Sequence, residues 1–276
     1  MTNPRGTKCL ELENYSYELP PYVRFCSFPS RKLKLDYVKA EFLWYLRGDR
    51  HDLSILEKAS LWKTLVNDDG GINSNYGQYI FGTAGRQPSQ FDNAFNTLKA
   101  DKDSRRASIM ILSKDHLLSK TNDYPCTYCL NFRIRDNKLN MSVRMRSQDS
   151  IFGLGNDAPT FTFVQELMFV LLREVYPGLE LGPYHHTCDS FHIYDRHFEM
   201  LEQLVVEKEC IEVNCPQITT VAEVAHIRTM HSVGDRIENV SACNDRYPFA
   251  TWLTDGRHYM YYNEQQTQEG SEENAH

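Results

Sequence analysis

The chain has 276 residues, 41% hydrophobic and 24% charged, with a net charge of −7. This suits a soluble globular protein with a sizeable core. The acidic balance, without a basic run, excludes a broad nucleic-acid surface but leaves room for a small phosphorylated ligand held by a few arginines. No stretch approaches the roughly 18 apolar residues of a membrane span, and the start, Met1-Thr2-Asn3-Pro4-Arg5, carries no apolar run, so an intracellular, cytoplasmic protein is expected. The eight irregularly spaced cysteines are expected to be free thiols.

In chain order, residues 9–28 alternate around Leu10, Leu12, Tyr15, Tyr22, Phe25 and Phe28 and predict strands. Leu35 to Leu46 has helical spacing and is closed by Gly48. Glu41 lies on it among apolar neighbours, and on such a helix the ordinary expectation is a solvated position. Ile55 to Leu65 predicts a second short helix, Asp68-Asp69-Gly70-Gly71 a turn, and Asn73 to Gly77 a loop. Gln90 to Lys99 predicts a helix, broken by Asp101-Lys102-Asp103. Ser104-Arg105-Arg106 then precedes the apolar strand Ala107 to Leu112, and two arginines at the mouth of such a strand suit an anion.

The stretch Tyr124 to Asp157 holds most of the chemistry. Leu130 to Arg135 and Leu139 to Met145 alternate on either side of Asp136-Asn137-Lys138, which predicts a hairpin. Its second strand delivers Arg146, Ser147, Gln148 and Asp149, and a Gly153-Leu154-Gly155 bend leads on to Asp157. A thiol, a guanidinium, a hydroxyl and two carboxylates therefore converge at one end of a sheet. A thiol needs a nearby positive charge to become a thiolate near neutral pH, and Arg146 supplies one.

Thr160 to Val175 predicts a buried helix ended by Pro177-Gly178. Leu179 to Tyr194 carries His185, His186, Cys188, Asp189, Ser190, His192 and Tyr194, and Tyr194 to Val206 predicts a further helix. Residues 207–262 are assigned only strands and loops, and 263–276 a polar, disordered tail. Residues 1–262 read as one domain of α+β or mixed α/β class.

Local sequence leaves several readings of the reactive residues open. Cys126-Thr127-Tyr128-Cys129 has redox spacing, but strand alternation sends the two thiols to opposite faces. Cys126, Cys129, His185 and His186 suit zinc by type, without a second paired unit to support the site. A lone cysteine is usually an inert core residue, and local sequence alone leaves Cys126 evenly balanced between that and a nucleophile.

Taken together, these motifs resemble the thymidylate synthase family, and within it the pyrimidine hydroxymethylase branch, from about Asn3 to about Tyr194. Glu41-Phe42-Leu43-Trp44-Tyr45-Leu46-Arg47-Gly48-Asp49 resembles the family's E-L-L-W-F-L-x-G-D helix, whose Glu manages water and protons at the pyrimidine. Pro125-Cys126 resembles its nucleophile motif, Asp103-Ser104-Arg105-Arg106 its D-S-R-R, Arg146-Ser147-Gln148-Asp149 its R-S-x-D, and His192-Ile193-Tyr194 its H-x-Y. The resemblance implies a mixed β-sheet flanked by helices and a homodimer through the sheet, with Arg105 and Arg106 reaching the partner's phosphate. It implies catalysis by Cys126, Glu41 and Asp157, with Tyr76 supporting the base site. Arg5, Arg105, Arg106, Arg146, Ser147, Gln148, Asp157, His192 and Tyr194 would bind the nucleotide. Glu41, Trp62, Asp149 and Gly153 would face the co-substrate, 5,10-methylenetetrahydrofolate. No metal, membrane or direct nucleic-acid partner is implied, and the location would be cytoplasmic, in the host if phage-encoded.

Three departures bear on the reaction. Thr127 follows the cysteine where thymidylate synthases have His, Asp157 stands where they have Asn, and the chain ends in a polar tail instead of an apolar closing one. An amide donates to uracil O4 and accepts from N3–H, whereas a carboxylate lacks the donor. A carboxylate accepts well from the amino group of cytosine, provided a proton lies between it and N3. Thiolate addition at C6 raises the basicity of N3, so the pairing would tighten along the reaction. The expected activity is folate-dependent hydroxymethylation of dCMP. The alternatives are a C5 methylase of dCMP or dUMP and, more remotely, an inactive nucleotide- or RNA-binding relative.

Overall fold

Alternating apolar residues assemble a five-stranded sheet in the computed structural model, which describes residues 1–82, 88–230, 246–255 and 260–261, without the side chains of Arg5, Met260 and Tyr261. Its strands are β1 (Cys9–Leu19), β2 (Ser108–Met110), β3 (Thr127–Arg135), β4 (Lys138–Asp149) and β5 (Glu180–Tyr194), in the order β1-β5-β4-β3-β2. β4 and β5 are parallel and the other neighbours antiparallel. The expected hairpin is β3–β4, turned by Asp136 and Asn137 at φ of 50° and 58°. Aspartate and asparagine tolerate this left-handed backbone, which a tight two-residue turn requires. Period-two alternation buries Leu130, Phe132 and Ile134 of β3 with Leu139, Met141 and Val143 of β4. Asn131, Arg133, Asn140, Ser142 and Arg144 line a cavity on the opposite, polar face.

The helices are α1 (Leu35–Arg47), α2 (Gly77–Ile80), α3 (Gln90–Ala100), α4 (Lys114–Leu118), α5 (Phe152–Val175), α6 (Phe198–Val206), α7 (Val221–Thr229) and α8 (Pro248–Thr254). α5 is buried along most of its length, from Phe161 through Leu172, as a helix apolar on nearly all sides must be. It packs against β4, β5, α1, α3 and α7. β6 (Glu212–Val213) and β7 (Met260–Tyr261) pair separately.

Several expectations are corrected. Residues 9–28 give one strand, not several, because Pro20 and Pro21 end β1 and Tyr22 turns at φ 64°. Ile55 to Leu65 is two 3-10 turns, Ser54–Glu57 and Ser60–Thr64, divided by extended Ala59. The Gly153-Leu154-Gly155 segment is helix, not a bend, and α5 starts at Phe152. The cause is tertiary: the buried Arg31 guanidinium lies over Gly155, where a Cβ would fall 2.1 Å from Nη2, and donates to Ile151 O (3.3 Å) and Asn156 Oδ1 (3.1 Å). Tyr194 ends β5, and α6 begins only after the 3-10 turn Asp195–His197. Residues 207–262 include α7 and α8, not strands and loops alone. Buried carboxylates tie this segment down. Glu166 accepts from Arg24 Nη1 and from Ile218 N–H, each at 2.8 Å, and Glu223 accepts from Phe249 N–H at 2.8 Å. The tail 263–276 lies outside the described residues.

Candidate active site

Cys126 sits just ahead of β3, and its N–H donates to Tyr76 Oη at 3.1 Å. Tyr76 is buried, with its ring parallel to Phe161 of α5. Arg146, on the neighbouring strand β4, grips the same loop. Its Nη2 donates to Tyr124 O (2.7 Å) and its Nε to Pro125 O (3.1 Å), while Nη2 lies 3.5 Å from Cys126 Sγ. One guanidinium thus fixes the loop and places positive charge beside the sulfur, where it stabilises a thiolate over a thiol.

Glu41 is not on a solvated face. It is 4% exposed, with Oε1 accepting from Tyr37 Oη (2.8 Å) and Oε2 from Thr160 Oγ1 (3.2 Å). Trp62 Nε1 donates to Tyr37 Oη at 3.1 Å. Burial pushes the Glu41 carboxyl up to about 7, and the two donated bonds restrain the rise. Sequence reasoning missed Tyr37, although its four-residue spacing from Glu41 on one helix was a usable signal.

Asp157 lies on α5, one turn after Gly153. Part of its surface stays open, but protein atoms crowd the carboxyl. That burial, with Glu41 adding to it, pushes Asp157 up to about 8, while Gln148 Nε2, donating to Oδ2 at 3.2 Å, opposes the rise. Burial therefore favours the protonated form of Asp157 near neutral pH. Gln148 is 2% exposed with its amide committed behind Asp157, an unexpected place for a nucleotide contact. A Cβ on Gly153 would come 3.6 Å from Asp157 Oδ2 and 3.3 Å from Asp149 Cβ, so glycine preserves space at both acids. Asp149 Oδ1 accepts from Ile151 N–H (2.7 Å) and Phe152 N–H (3.0 Å), anchoring the start of α5.

Parallel pairing sets Ser147 opposite Ser190 and Asp149 opposite His192. His192 is buried, and its ring meets Tyr194 edge-on at 5.0 Å, so the H-x-Y pair borders the R-S-x-D strand. Arg105 and Arg106 are exposed ahead of β2, at the sheet edge opposite β1. Among the described residues, no hydrogen bond or ion pair joins either side chain to Cys126, Arg146 or Ser147. Arg105 instead borders the polar cavity of the sheet face. The side chain of Arg5 lies outside what the structure describes.

The other readings of the cysteines find no support in the geometry. A register shift between Thr127 and Cys129 interrupts the alternation, and neither Cys126 nor Cys129 forms a disulfide among the described residues. His186 is buried against Tyr17 and bonded to Tyr184 Oη at 2.7 Å, while His185 pairs with Glu18 at 3.2 Å. Among the described residues, no group of three or more His, Cys, Asp or Glu side chains is arranged to hold a metal, and no helix is long and apolar enough to cross a membrane.

Residues 2–238 match the sequence model of the thymidylate synthase family, so the chain belongs to that family. Its similarity runs to the hydroxymethylase branch. The chain is 29% identical over 208 residues to the deoxyuridylate hydroxymethyltransferase of Bacillus phage SP01, covering 69% of this chain and 52% of that protein. It therefore spans about half the length of that relative. It is 30% identical over 175 residues to the deoxycytidylate 5-hydroxymethyltransferase of Enterobacteria phage T6, and 29% identical over 178 residues to that of phage T4, in each case covering 60% of this chain and 70% of the relative. Among solved structures, the thermostable thymidylate synthase A from Bacillus subtilis aligns with a TM-score of 0.61 at 22% identity, covering 75% of each chain, which shows the shared fold.

Proposed function

We propose that this protein converts dCMP, 5,10-methylenetetrahydrofolate and water to 5-hydroxymethyl-dCMP and tetrahydrofolate. The observation that carries the reading is Asp157, an acid that burial raises to about 8, placed close enough to act on Tyr76, whose hydroxyl accepts from Cys126 N–H. A neutral acid donates to cytosine N3 and accepts from the amino group. The SP01 relative, named for deoxyuridylate, favours dUMP as a second reading, since a neutral acid also donates to O4 and accepts from N3–H.

Cys126 adds to C6 of the pyrimidine, which makes C5 nucleophilic. Arg146 holds the loop and the sulfur charge while Cys126 approaches, and Tyr76 fixes the Cys126 backbone. The folate, when bound, supplies the one-carbon unit at C5. Gly153 and Asp149 would border it from α5 and β4. Trp62 would meet it with its ring, since its indole N–H is spent on Tyr37. The room kept at Gly153 fits such a neighbour. Glu41, near 7, takes up and returns protons at working pH and steers the water that completes the hydroxymethyl group. Product mass after incubating dCMP with methylenetetrahydrofolate tests the reading: an added CH2OH supports it, and an added CH3 or unchanged dCMP overturns it.

Tyr37→Phe removes a bond that favours charged Glu41, so the Glu41 carboxyl moves further above its ordinary range. The acid limb of the kcat/KM profile should move to higher pH, with a loss of roughly two- to tenfold at pH 7. An unmoved limb would remove Glu41 as the titrating group. Arg105 and Arg106 serve the phosphate of a partner subunit in this reading. Mixing Arg105→Ala with Arg146→Ala subunits should then leave about half the dimers with one intact site, recovering about a quarter of full activity; no recovery counts against a crossed dimer.

A further inference from the structure

Asp157 stands at the end of a partly buried chain of hydrogen bonds. Tyr17, from β1, donates through Oη to Gln148 Oε1 at 3.3 Å. That bond fixes the amide with its nitrogen toward α5, where Nε2 donates to Asp157 Oδ2 at 3.2 Å and lies 3.7 Å from Met145 Sδ. Tyr17 is itself held in place: its ring stacks on buried His186 at 4.8 Å and an interplanar angle of 7°. Burial moves the Tyr17 hydroxyl far above its ordinary range, so it keeps its proton and remains available as a donor. With its nitrogen turned to Asp157 and its oxygen to Tyr17, Gln148 is oriented by the protein.

We propose that Tyr17 and Gln148 are positioning residues that pull the Asp157 proton onto N3 of the bound cytosine and so set the preference for cytosine over uracil. A donor aimed at a carboxyl oxygen binds the carboxylate more strongly than the neutral acid. The Gln148–Asp157 bond therefore strengthens as the proton leaves Asp157 for N3, and weakens if the acid keeps it. The transfer is balanced: the O–H bond of Asp157 breaks, an N3–H bond forms, and the ring's positive charge faces the new carboxylate. Uracil has no basic N3 to receive this proton. It is bound only by the acid in its neutral form, which Gln148 disfavours. Without Tyr17, the amide can turn its oxygen to Asp157; a carboxylate there is repelled, the acid stays neutral, and uracil is tolerated.

The inference rests on the proposed pyrimidine-nucleotide site and is tested by binding. Dissociation constants for dCMP and dUMP would be measured on the full chain and on Gln148→Met and Tyr17→Phe. Gln148→Met keeps length and apolar bulk without the donor; Tyr17→Phe removes only the hydroxyl. The dUMP/dCMP ratio of Kd is expected to fall about tenfold in Gln148→Met and about threefold in Tyr17→Phe. A structural role alone would lower Tm, or weaken both nucleotides equally, and leave the ratio unchanged. That result in both variants overturns the inference while leaving the substrate reading intact. An unaltered chain that binds neither nucleotide overturns both.

Discussion

Cys126→Ala is expected to lower tritium release from 5-tritiated dCMP by more than about 10^4-fold, because no other group in the site can make the bond to C6 that activates C5. Nucleotide affinity should stay within about threefold, since the covalent bond forms only after binding. The substitution spares the supporting geometry. Arg146 still donates to Tyr124 O and Pro125 O, and the backbone N–H of residue 126 still reaches Tyr76. A loss of turnover would therefore report the missing sulfur and not a collapsed loop. Release must also depend on methylenetetrahydrofolate, which separates an enzyme from a nucleotide-binding relative with a dead site. Turnover retained by Cys126→Ala would remove this residue as nucleophile.

The parts of the fold written in local periodicity were legible. The β3–β4 hairpin follows from two alternating runs about Asp136-Asn137, and α1 from its helical spacing and Gly48. The motif residues Cys126, Arg146, Glu41 and Asp157 were named from the sequence, and the structure places the first two in contact. What escaped depends on partners far along the chain. The start of α5 is masked by two glycines, and it is Arg31, more than a hundred residues away, that packs against Gly155 and holds the segment helical. Gln148 was expected to touch the nucleotide because it falls within the R-S-x-D resemblance. Only the approach of Tyr17 from β1 shows that its amide faces inward. Local sequence alone put Glu41 on a solvated face and only the resemblance moved it into the site; its burial follows from Thr160 of α5 and from Tyr37 closing over it. Arg105 and Arg106 stay exposed ahead of β2, as arginines proposed to serve a second copy would.

Asp157→Asn is expected to move the dCMP/dUMP ratio of kcat/KM toward dUMP by roughly 10^2- to 10^4-fold. An amide always carries a donor for O4 and an acceptor for N3–H, and it can never deliver a proton to cytosine N3. In the unaltered chain Asp157 does carry that proton: burial and the neighbouring Glu41 push the carboxyl up to about 8, so it is neutral below that pH and ionised above it. Activity on dCMP should accordingly fall as pH rises through about 8, where the proton is lost before the substrate arrives. Asparagine does not titrate there, so the same alkaline limb should vanish from the profile of Asp157→Asn with dUMP. The two results separate two roles. A switched preference with the limb still present would mean that residue 157 reads the base edge while another group sets the alkaline limb. A preference that stays with dCMP would mean that the base edge is read elsewhere, and the assignment of cytosine from this acid would fall.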